Sequence, residues 1–384
     1  MPRPIHRLCA RRPKVLFLSY HPAPYRDPTL AVVANQRVVD LDVTFLFPSA
    51  GNWHPYWRHG ATRSSFSVLS SWLPASASRH FSPTVVAKVA QSDVVFVTGL
   101  TYWTSRLAFL SSLCARRPIV FVSDITSASA SVRQRVMLRV LSGLVSAVWV
   151  PGKASRSLWI EQGLSPDRVF EGCYCLDVDD LTRTQTRHPE WREATRRRLG
   201  IARDQPVALF VGRMVAERDI PSLLTSFESV SKALPRAHLV VVGDGPYRRW
   251  AEEYARCRGV AEVTFLDPVH YDELMPLYAA ADVYIQPSVW EPYSLSTAQA
   301  ATMGLPIVCT DAVGAAQDYV VDGVTGYCVP TSDVAALAGA LRDLLGNPGL
   351  TGRMGQVARQ RAASRTVEWA AREFVRAALS AACR

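Results

Sequence analysis

Four short segments carry residue types that can act together on a phosphorylated, hydroxyl-rich ligand. Gly212-Arg213-Met214-Val215-Ala216-Glu217-Arg218 sets two arginines five positions apart. A guanidinium is planar, stays charged at physiological pH and offers paired N–H donors that match phosphate oxygens, so two of them can form a clamp on a diphosphate. Plain surface charge is the other use of such a pair. Gly243-Asp244-Gly245-Pro246 permits a tight turn close to a ligand, with Pro246 suited to the first turn of a helix. It is not the Gly-x-Gly-x-x-Gly dinucleotide fingerprint, because position 248 is Arg, and this argues against a dehydrogenase.

The segment from Gln286 to Gln299, followed by Met303-Gly304-Leu305-Pro306, carries one carboxylate, Glu291, ahead of a helix predicted to begin near Leu295. The first N–H groups of a helix have no intrahelical partner and can hold an anion. Glu291 suits sugar hydroxyls, the helix start at Ser294 and Leu295 suits a diphosphate beside the two arginines, and Gln299, about one turn inside, suits a ribose. Gln299 has an equal alternative use, since Ser296-Thr297-Ala298-Gln299 is spaced as a capping box in which Gln299 reaches back to the Ser296 amide. With Gly212, Gly243, Gly245, Val269 and Tyr293 on the same set of loops, these residues outline a nucleotide-sugar site.

The first half of the chain offers less. Asp124 follows a predicted strand and can orient an incoming hydroxyl or touch a donor sugar; capping the next helix, with Ser127 nearby, is its structural use. His21, Tyr25 and Arg26 follow the first predicted strand and can shape an acceptor pocket or simply form a turn. Asp177-Val178-Asp179 spells Asp-x-Asp, a metal motif of a different transferase fold, but Asp180 stands beside it and linker acidity is the better reading. No metal-ligand set is assigned.

These side chains need a scaffold that brings strand ends together. Short β-branched or aromatic runs alternate with amphipathic stretches, the pattern of parallel sheets covered by helices. Strands are predicted over 15–19, 43–47, 94–98, 119–123 and 147–150, then over 207–211, 239–242, 263–266 and 283–286. Helices are predicted over 221–234, 247–258 and 272–280, and two further units follow. Parallel neighbours need a crossover of a dozen residues or more, and these intervals supply it, so each half reads as a doubly wound sheet. Residues 176–205 are polar and Arg-rich with no strand, which places the boundary there. The run from Arg183 to Arg198 lacks interleaved aromatics and reads as a solvated linker face. The stretch 366–382 has Val367, Ala370, Phe374, Val375 and Leu379 near helical spacing and no strand after it, so it needs another surface and is expected to pack back on the first domain. The expected domains are 1–178 joined by 358–384, and 179–357.

Composition sets outer bounds. In 384 residues, 48% hydrophobic and 20% charged describe a globular chain rather than a fibre or a disordered tail. No apolar run approaches the ~18 residues that span a bilayer, which excludes an integral membrane protein. Eight scattered cysteines without zinc spacing, and a basic, Pro-broken start without an apolar core, point to a reducing cytosol rather than a disulfide scaffold. The net charge of +10, almost all from Arg because Lys occurs only at 14, 88, 153 and 232, suits nucleic acid, an anionic membrane surface or an anionic small molecule.

Residues 207–346 resemble the donor domain of the retaining glycosyltransferases of family 4, which have the GT-B fold. The resemblance rests on Val-Gly-Arg with a basic residue five further on, Gly-Asp-Gly-Pro, Phe265-Leu266, Pro-Ser before a Glu, Met-x-Leu-Pro with Gly304, and Asp311-Ala-Val-Gly-Ala-Ala-Gln-Asp318 leading to Asp322-Gly323-Val324-Thr325-Gly326. The first half is similar to the family's acceptor domain through Tyr20-His-Pro-Ala-Pro-Tyr-Arg26, Ser123-Asp124 and Tyr174-Cys-Leu-Asp177. The resemblance implies an α/β GT-B fold of two Rossmann-like domains facing a cleft, with the C-terminal helix crossing back to the first. It implies that Arg213 and Arg218 hold the leaving diphosphate, that Glu291 contacts the transferred sugar, and that amides near Ser294 and Leu295 bind sugar or phosphate. No metal or other cofactor is expected. The chain departs from the family in having Arg218 for the usual Lys, Ser294 for Gly, Gln299 for a second Glu, and Asp124 where a His is common.

The implied activity is transfer of a sugar from a nucleoside-diphosphate sugar to a sugar or lipid-linked acceptor in glycan, polysaccharide or glycoconjugate biosynthesis. A nucleotide-sugar-binding protein without transfer, and an epimerase on the same fold, are the alternatives. A phosphorylase would need a pyridoxal phosphate lysine, for which the four lysines offer no convincing candidate. A helix predicted over 132–145, with Arg133, Arg135 and Arg139 beside Val136, Leu138, Val140 and Leu141, is a candidate for peripheral contact with an anionic inner leaflet. Nucleic-acid binding rests on charge alone.

Overall fold

A computed structural model describes residues 11–48, 65–72, 79–126 and 131–383. It divides into two compact units, Met1–Leu176 with Thr366–Arg384, and Asp177–Arg365. The return to the first unit thus comes at Thr366; the helix Pro348–Ala362, the first part of which was expected in the second domain and the last part in the first, lies wholly in the second unit.

In the first unit the described strands are β1 (Lys14–Ser19), β2 (Asp40–Phe45), β3 (Ser67–Val68), β4 (Val94–Thr98), β5 (Ile119–Val122), β6 (Ala147–Val150) and β7 (Val169–Glu171). They form one parallel sheet in the order β3-β2-β1-β4-β5-β6-β7. Its central strands are fully buried, as Val/Phe/Leu runs such as Val15–Leu18 and Val94–Val97 require of a sheet covered on both faces. The last helix, Val367–Ala382, belongs to this unit and inserts Phe374 against β4, with the Phe96 and Phe374 rings stacked at 4.2 Å and Trp149 edge-on to Phe374 at 5.1 Å. The apolar stripe seen in the sequence is therefore core. Gly172 is fitted to it, because a Cβ there would lie 3.0 Å from that of Ala370.

The second unit holds β8 (Val207–Val211), β9 (His238–Val242), β10 (Val263–Leu266), β11 (Val283–Gln286), β12 (Ile307–Thr310) and β13 (Gly326–Val329), all parallel, in the order β10-β9-β8-β11-β12-β13. Phe210, Leu223, Phe227, Val241, Ile285, Leu337 and Leu341 share its core beneath the helices Ile220–Ala233 and Val334–Leu345.

The Arg-rich segment differs from expectation. It folds into two helices, Val178–Arg187 and Trp191–Arg198, and its arginines are not all solvated. Arg196 is 2% exposed and Asp282 is its ion partner at 2.8 Å, with Arg192 on the other oxygen of the same carboxylate at 2.5 Å. Arg196 also donates to the carbonyls of Ala280, at the end of a helix, and of Ala202, Arg203 and Gln205 in the loop before β8. Asp177 accepts from the Asp180 amide at 3.0 Å as the N-cap of the first of these helices, so the Asp-x-Asp run serves as a helix start.

On the helix Ile220–Ala233, Glu228 accepts from Arg258, Lys232 and Tyr254, and these bonds hold its carboxyl down at about 2. A depressed carboxylate contributes stability that is whole above the ordinary Glu range and is lost as pH falls toward 2. Glu228→Gln should therefore lower stability at neutral pH by about 1–2 kcal/mol, allowing for the exposure of Lys232 and Arg258, and should flatten the acid limb between pH 4.5 and 2 in thermal unfolding.

Candidate functional site

In doubly wound sheets ligands bind beyond the strand ends where the strand order reverses. In the second unit that point lies between β8 and β11, paired through Ala208 with Val283 and Leu209 with Tyr284. The loop after β8 holds Arg213 and Arg218; the loop after β11 holds Glu291. The backbone ties the two loops together, since Val289 and Trp290 both donate to the Glu217 carbonyl, at 3.0 and 3.3 Å. Glu291 is further fixed by a bridge to Val313 and by the Gly314 amide on its carbonyl at 2.9 Å.

The two arginines then take different roles. Arg218 Nη2 pairs with Glu291 Oε2 at 2.7 Å while its Nη1 donates to the Trp290 carbonyl at 2.8 Å, and both side chains are almost buried, at 13% and 12% exposure. This corrects the expectation of two open cations: the convergence of the loops joins Arg218 to the very carboxylate assigned to the sugar. Arg213 is exposed and, among the described residues, has no acceptor of its own.

The helix Leu295–Thr302 starts beside this pair. Its N-cap is Ser294, which takes the left-handed conformation at φ 82° and accepts from the Thr297 amide at 3.2 Å. That backbone shape is open to glycine at little cost and strained for serine, so the substitution keeps the turn and adds a cap. The capping box proposed for Ser296 and Gln299 is not formed. The helix begins one residue before Ser296, with Ser294 as its cap, and Gln299 is buried with its amide oxygen accepting from the Tyr278 hydroxyl at 3.0 Å. Tyr293 is also buried, its ring hydroxyl 3.4 Å from that of Tyr319 and its carbonyl accepting from the Ala315 amide, so its side chain braces the loop from inside. Burial pushes the Tyr293 and Tyr284 phenols up.

Gly243 and Gly245 sit where β9 leaves the sheet, with φ of 142° and 151°. A Cβ on Gly243 would meet the Gly212 carbonyl oxygen at 1.9 Å, and one on Gly245 the Met214 oxygen at 2.5 Å. The glycines thus let the two strand exits touch. Arg248, the residue that breaks the dinucleotide fingerprint, closes this corner by donating to the carbonyls of Gly243 and Leu266, each at 2.9 Å. Val269 lies half-buried in the loop after β10. Gly304, with φ 80°, faces the Arg359 guanidinium, which donates to the Met303 carbonyl at 2.7 Å; this motif is a packing seam against the helix Pro348–Ala362.

The first unit has its own reversal point, between β1 and β4, and a cavity of about 810 Å³ opens there. It brings His21, Tyr25 and Arg26 from the loop after β1 together with Asp124 from the loop after β5. Asp124 does not cap the next helix. That helix, Val132–Leu144, is capped by Ser131 in a box with Gln134, and Asp124 Oδ2 instead accepts from the Tyr174 hydroxyl at 2.8 Å. Ser127 lies outside the described residues. Burial first, then the Asp124 charge, raises the Tyr174 phenol well above its ordinary range. The Tyr25 and Tyr174 rings meet edge-on at 4.6 Å, and His21 Nδ1 lies 2.8 Å from the Pro22 carbonyl. Sequence reasoning did not assign Thr98 or Tyr174 to this pocket; the strand-end position of Thr98, next to the reversal, was the available signal. Among the described residues no group of three or more His, Cys, Asp or Glu side chains is placed to hold a metal ion.

Comparison with known proteins bears on the second unit. The family model for Glycosyl transferases group 1 matches residues 192–361. This segment is a group 1 glycosyltransferase domain. Over 157 residues the chain is 32% identical to a glycogen synthase of Mycobacterium tuberculosis, covering 41% of this chain and 38% of that protein. Over 206 residues it is 35% identical to a D-inositol 3-phosphate glycosyltransferase of Geodermatophilus obscurus, covering 50% and 43%. The matches thus span less than half the length of these relatives. Among solved structures, Anabaena HepE in complex with UDP and glucose is similar over 94% of this chain and 98% of its own, with a TM-score of 0.72 at 19% identity. Sucrose-phosphate synthase from Thermosynechococcus elongatus is similar over 94% and 97%, with a TM-score of 0.65 at 17% identity. These likenesses establish the GT-B fold, two Rossmann-like units with the last helix returned to the first.

Within the group 1 domain, Gly243→Ala should cost at least about 2 kcal/mol, because the clash is with backbone and the φ is unsuited to alanine. Thermal unfolding of the full chain checks this; an unchanged melting temperature would show that the contact between strand exits is slack.

Proposed function

We propose that the protein is a glycosyltransferase that moves a sugar from a nucleoside-diphosphate sugar to a hydroxyl acceptor with retention of configuration, in the building of a glycan, polysaccharide or glycoconjugate. The observation that carries this reading is the meeting of Arg213, the Arg218–Glu291 pair and the start of the helix Leu295–Thr302 at the strand-order reversal of the group 1 domain. The UDP and glucose in the HepE complex make uridine diphosphate sugars the first donors to try.

As the bond between sugar and phosphate breaks, negative charge grows on the departing diphosphate. The amides at the helix start are fixed donors for that charge and need no reorganisation as it develops, and Arg213, exposed on the loop after β8, adds a positive charge. Arg218 acts through Glu291: it holds the carboxylate in one orientation, ready to accept from a hydroxyl of the transferred sugar. The buried Gln299 positions the helix through Tyr278 and offers its amide to the ribose. In this scheme cationic side chains and amides carry the leaving group without a divalent metal. The acceptor hydroxyl lies in the cavity of the first unit, oriented by Asp124 and Tyr174. No covalent residue is assigned.

A screen of nucleoside-diphosphate sugars by thermal shift should identify the donor by a gain of about 2.7 kcal/mol at a hundredfold excess over Kd. With that donor, Arg213→Ala should lower kcat by about 100–1,000-fold. Glu291→Ala should abolish transfer, and Gln299→Glu should leave it unchanged or improved. Anomeric proton spectra of the product report retention. Tight donor binding with no transfer to a broad acceptor panel would favour a binding protein instead, and conversion of the donor sugar without any acceptor would favour an epimerase.

The helix Val132–Leu144 supports a second element of the proposal, contact with an anionic leaflet. Val132, Val136 and Val140 are 79%, 60% and 60% exposed at four-residue spacing, and Arg133 and Arg139 stand exposed beside them. Each such cation contributes about 1 kcal/mol near an anionic surface. Among the described residues no helix is long and apolar enough to cross a membrane. Co-sedimentation with phosphatidylglycerol vesicles at low salt should fall about tenfold in Val136→Asp/Val140→Asp; absence of binding by the unmodified chain would remove this element.

A further inference from the structure

The cavity of the first unit contains a charge that the transfer chemistry does not use. Arg26 lines it and is only 5% exposed. A guanidinium taken out of water is costly unless its charge and its N–H donors are matched. Here they are matched poorly. Nη2 reaches the Tyr25 hydroxyl at 3.4 Å, a long contact, and the group lies 5.2 Å from the Tyr25 ring centre. Nη1 has no acceptor among the described residues. The carboxylate in the same cavity favours the charged guanidinium from a distance but supplies no acceptor to it, since among the described residues Arg26 has no ion pair and Asp124 accepts from Tyr174. The hydroxyl of Thr98, another lining residue, is likewise buried without a partner among the described residues.

Cation and carboxylate thus share one cavity without a direct pair, each with polar capacity left over. A neutral polyhydroxyl ligand would satisfy Asp124 and Thr98 and leave Arg26 as it is. A ligand with hydroxyls at one end and an anion at the other would satisfy all three. We infer that the first-unit cavity takes an acceptor bearing a phosphate or carboxylate group, and that Arg26 is the residue that selects it. The volume of about 810 Å³ admits a molecule of one or two sugar rings with its charged substituent. Arg133, also on the wall, adds to the positive potential. This inference rests on the reading of the cavity as the acceptor site of a glycosyltransferase.

The test is calorimetric titration of the full chain with glucose, glucose 6-phosphate, glucuronate and inorganic phosphate, carried out also in an Arg213→Ala background to remove anion binding in the second unit. Glucose 6-phosphate or glucuronate should bind at least about tenfold more tightly than glucose, and the stronger of the two names the anion. Arg26→Gln should bring the charged sugars down to the glucose level, Arg26→Lys should retain part of the preference, and UDP binding should be unchanged in both. Equal binding of charged and neutral sugars, no binding of either, or loss of UDP affinity in Arg26→Gln would overturn the inference. If Arg26→Gln does not fold by circular dichroism, the charged-against-neutral comparison in the unmodified chain still decides. Failure of the glycosyltransferase reading is seen separately, as the absence of donor turnover with every acceptor whether charged or neutral.

Discussion

The pairing of Arg218 with Glu291 is the contact on which the second unit's site depends. Two loops leave adjacent parallel strands in the same direction, and nothing in the sheet itself dictates that they stay together. The ion pair, almost buried at 2.7 Å, and the Glu217 carbonyl that receives two amides make them one body. Removing either partner would leave the other charge almost buried and unpaired, so the pair stands or falls as a unit. The arrangement also explains why one arginine alone remains exposed for phosphate. Arg218 and Arg213 are similar in sequence and divide into a positioning cation and an open one only through tertiary structure.

The same sheet rule operates in both units. Each has the central order 3-2-1-4-5, and in each the chemically loaded loops lie at the reversal: they follow β8 and β11 in one, and β1 and β5, with Thr98 at the end of β4 between them, in the other. A parallel sheet points all carboxyl ends one way, so loops far apart in sequence gather there without special provision. Glycine supplies the remaining requirement. At Gly243 and Gly245 the strand exits touch so closely that a single methyl would separate them, and the glycine motifs that looked like ligand signals are in the first instance packing devices.

Much of this was legible in the sequence because it depends on local pattern. The buried strands and the amphipathic last helix follow from runs and spacings within a few residues, and the strands 94–98, 147–150, 207–211 and 283–286 lie as read. What was not legible depends on distant partners. Strands Ser67–Val68 and Val169–Glu171 are too short to stand out and exist only by pairing with β2 and β6. Gln299 had the spacing of a capping box, but Tyr278, twenty-one positions away, competes for its amide oxygen and wins. Arg196 had the neighbours of a solvated run, and Asp282, eighty-six positions away, draws it into the core.

Arginine usage gives the last step. A net charge of +10 invites an external anionic partner, yet many arginines here close the polypeptide's own carbonyls. Arg168 takes Ser146, Arg117 takes Ala90, Arg192 takes Ala281, Arg248 takes Gly243 and Leu266, Arg359 takes Met303, and Arg361 takes Asp318. A guanidinium can reach two or more carbonyls at once where an ammonium cannot hold that planar geometry, which accounts for the scarcity of lysine better than any nucleic-acid partner does. Set against that background, two arginines at strand-order reversals stand out. Arg213 is exposed without an acceptor among the described residues, and Arg26 is buried with one nitrogen unmatched. Other arginines, such as Arg133, Arg139, Arg197 and Arg198, are exposed on helix surfaces; what sets Arg213 and Arg26 apart is their place at the ends of parallel strands, where a doubly wound sheet gathers its ligand-binding loops.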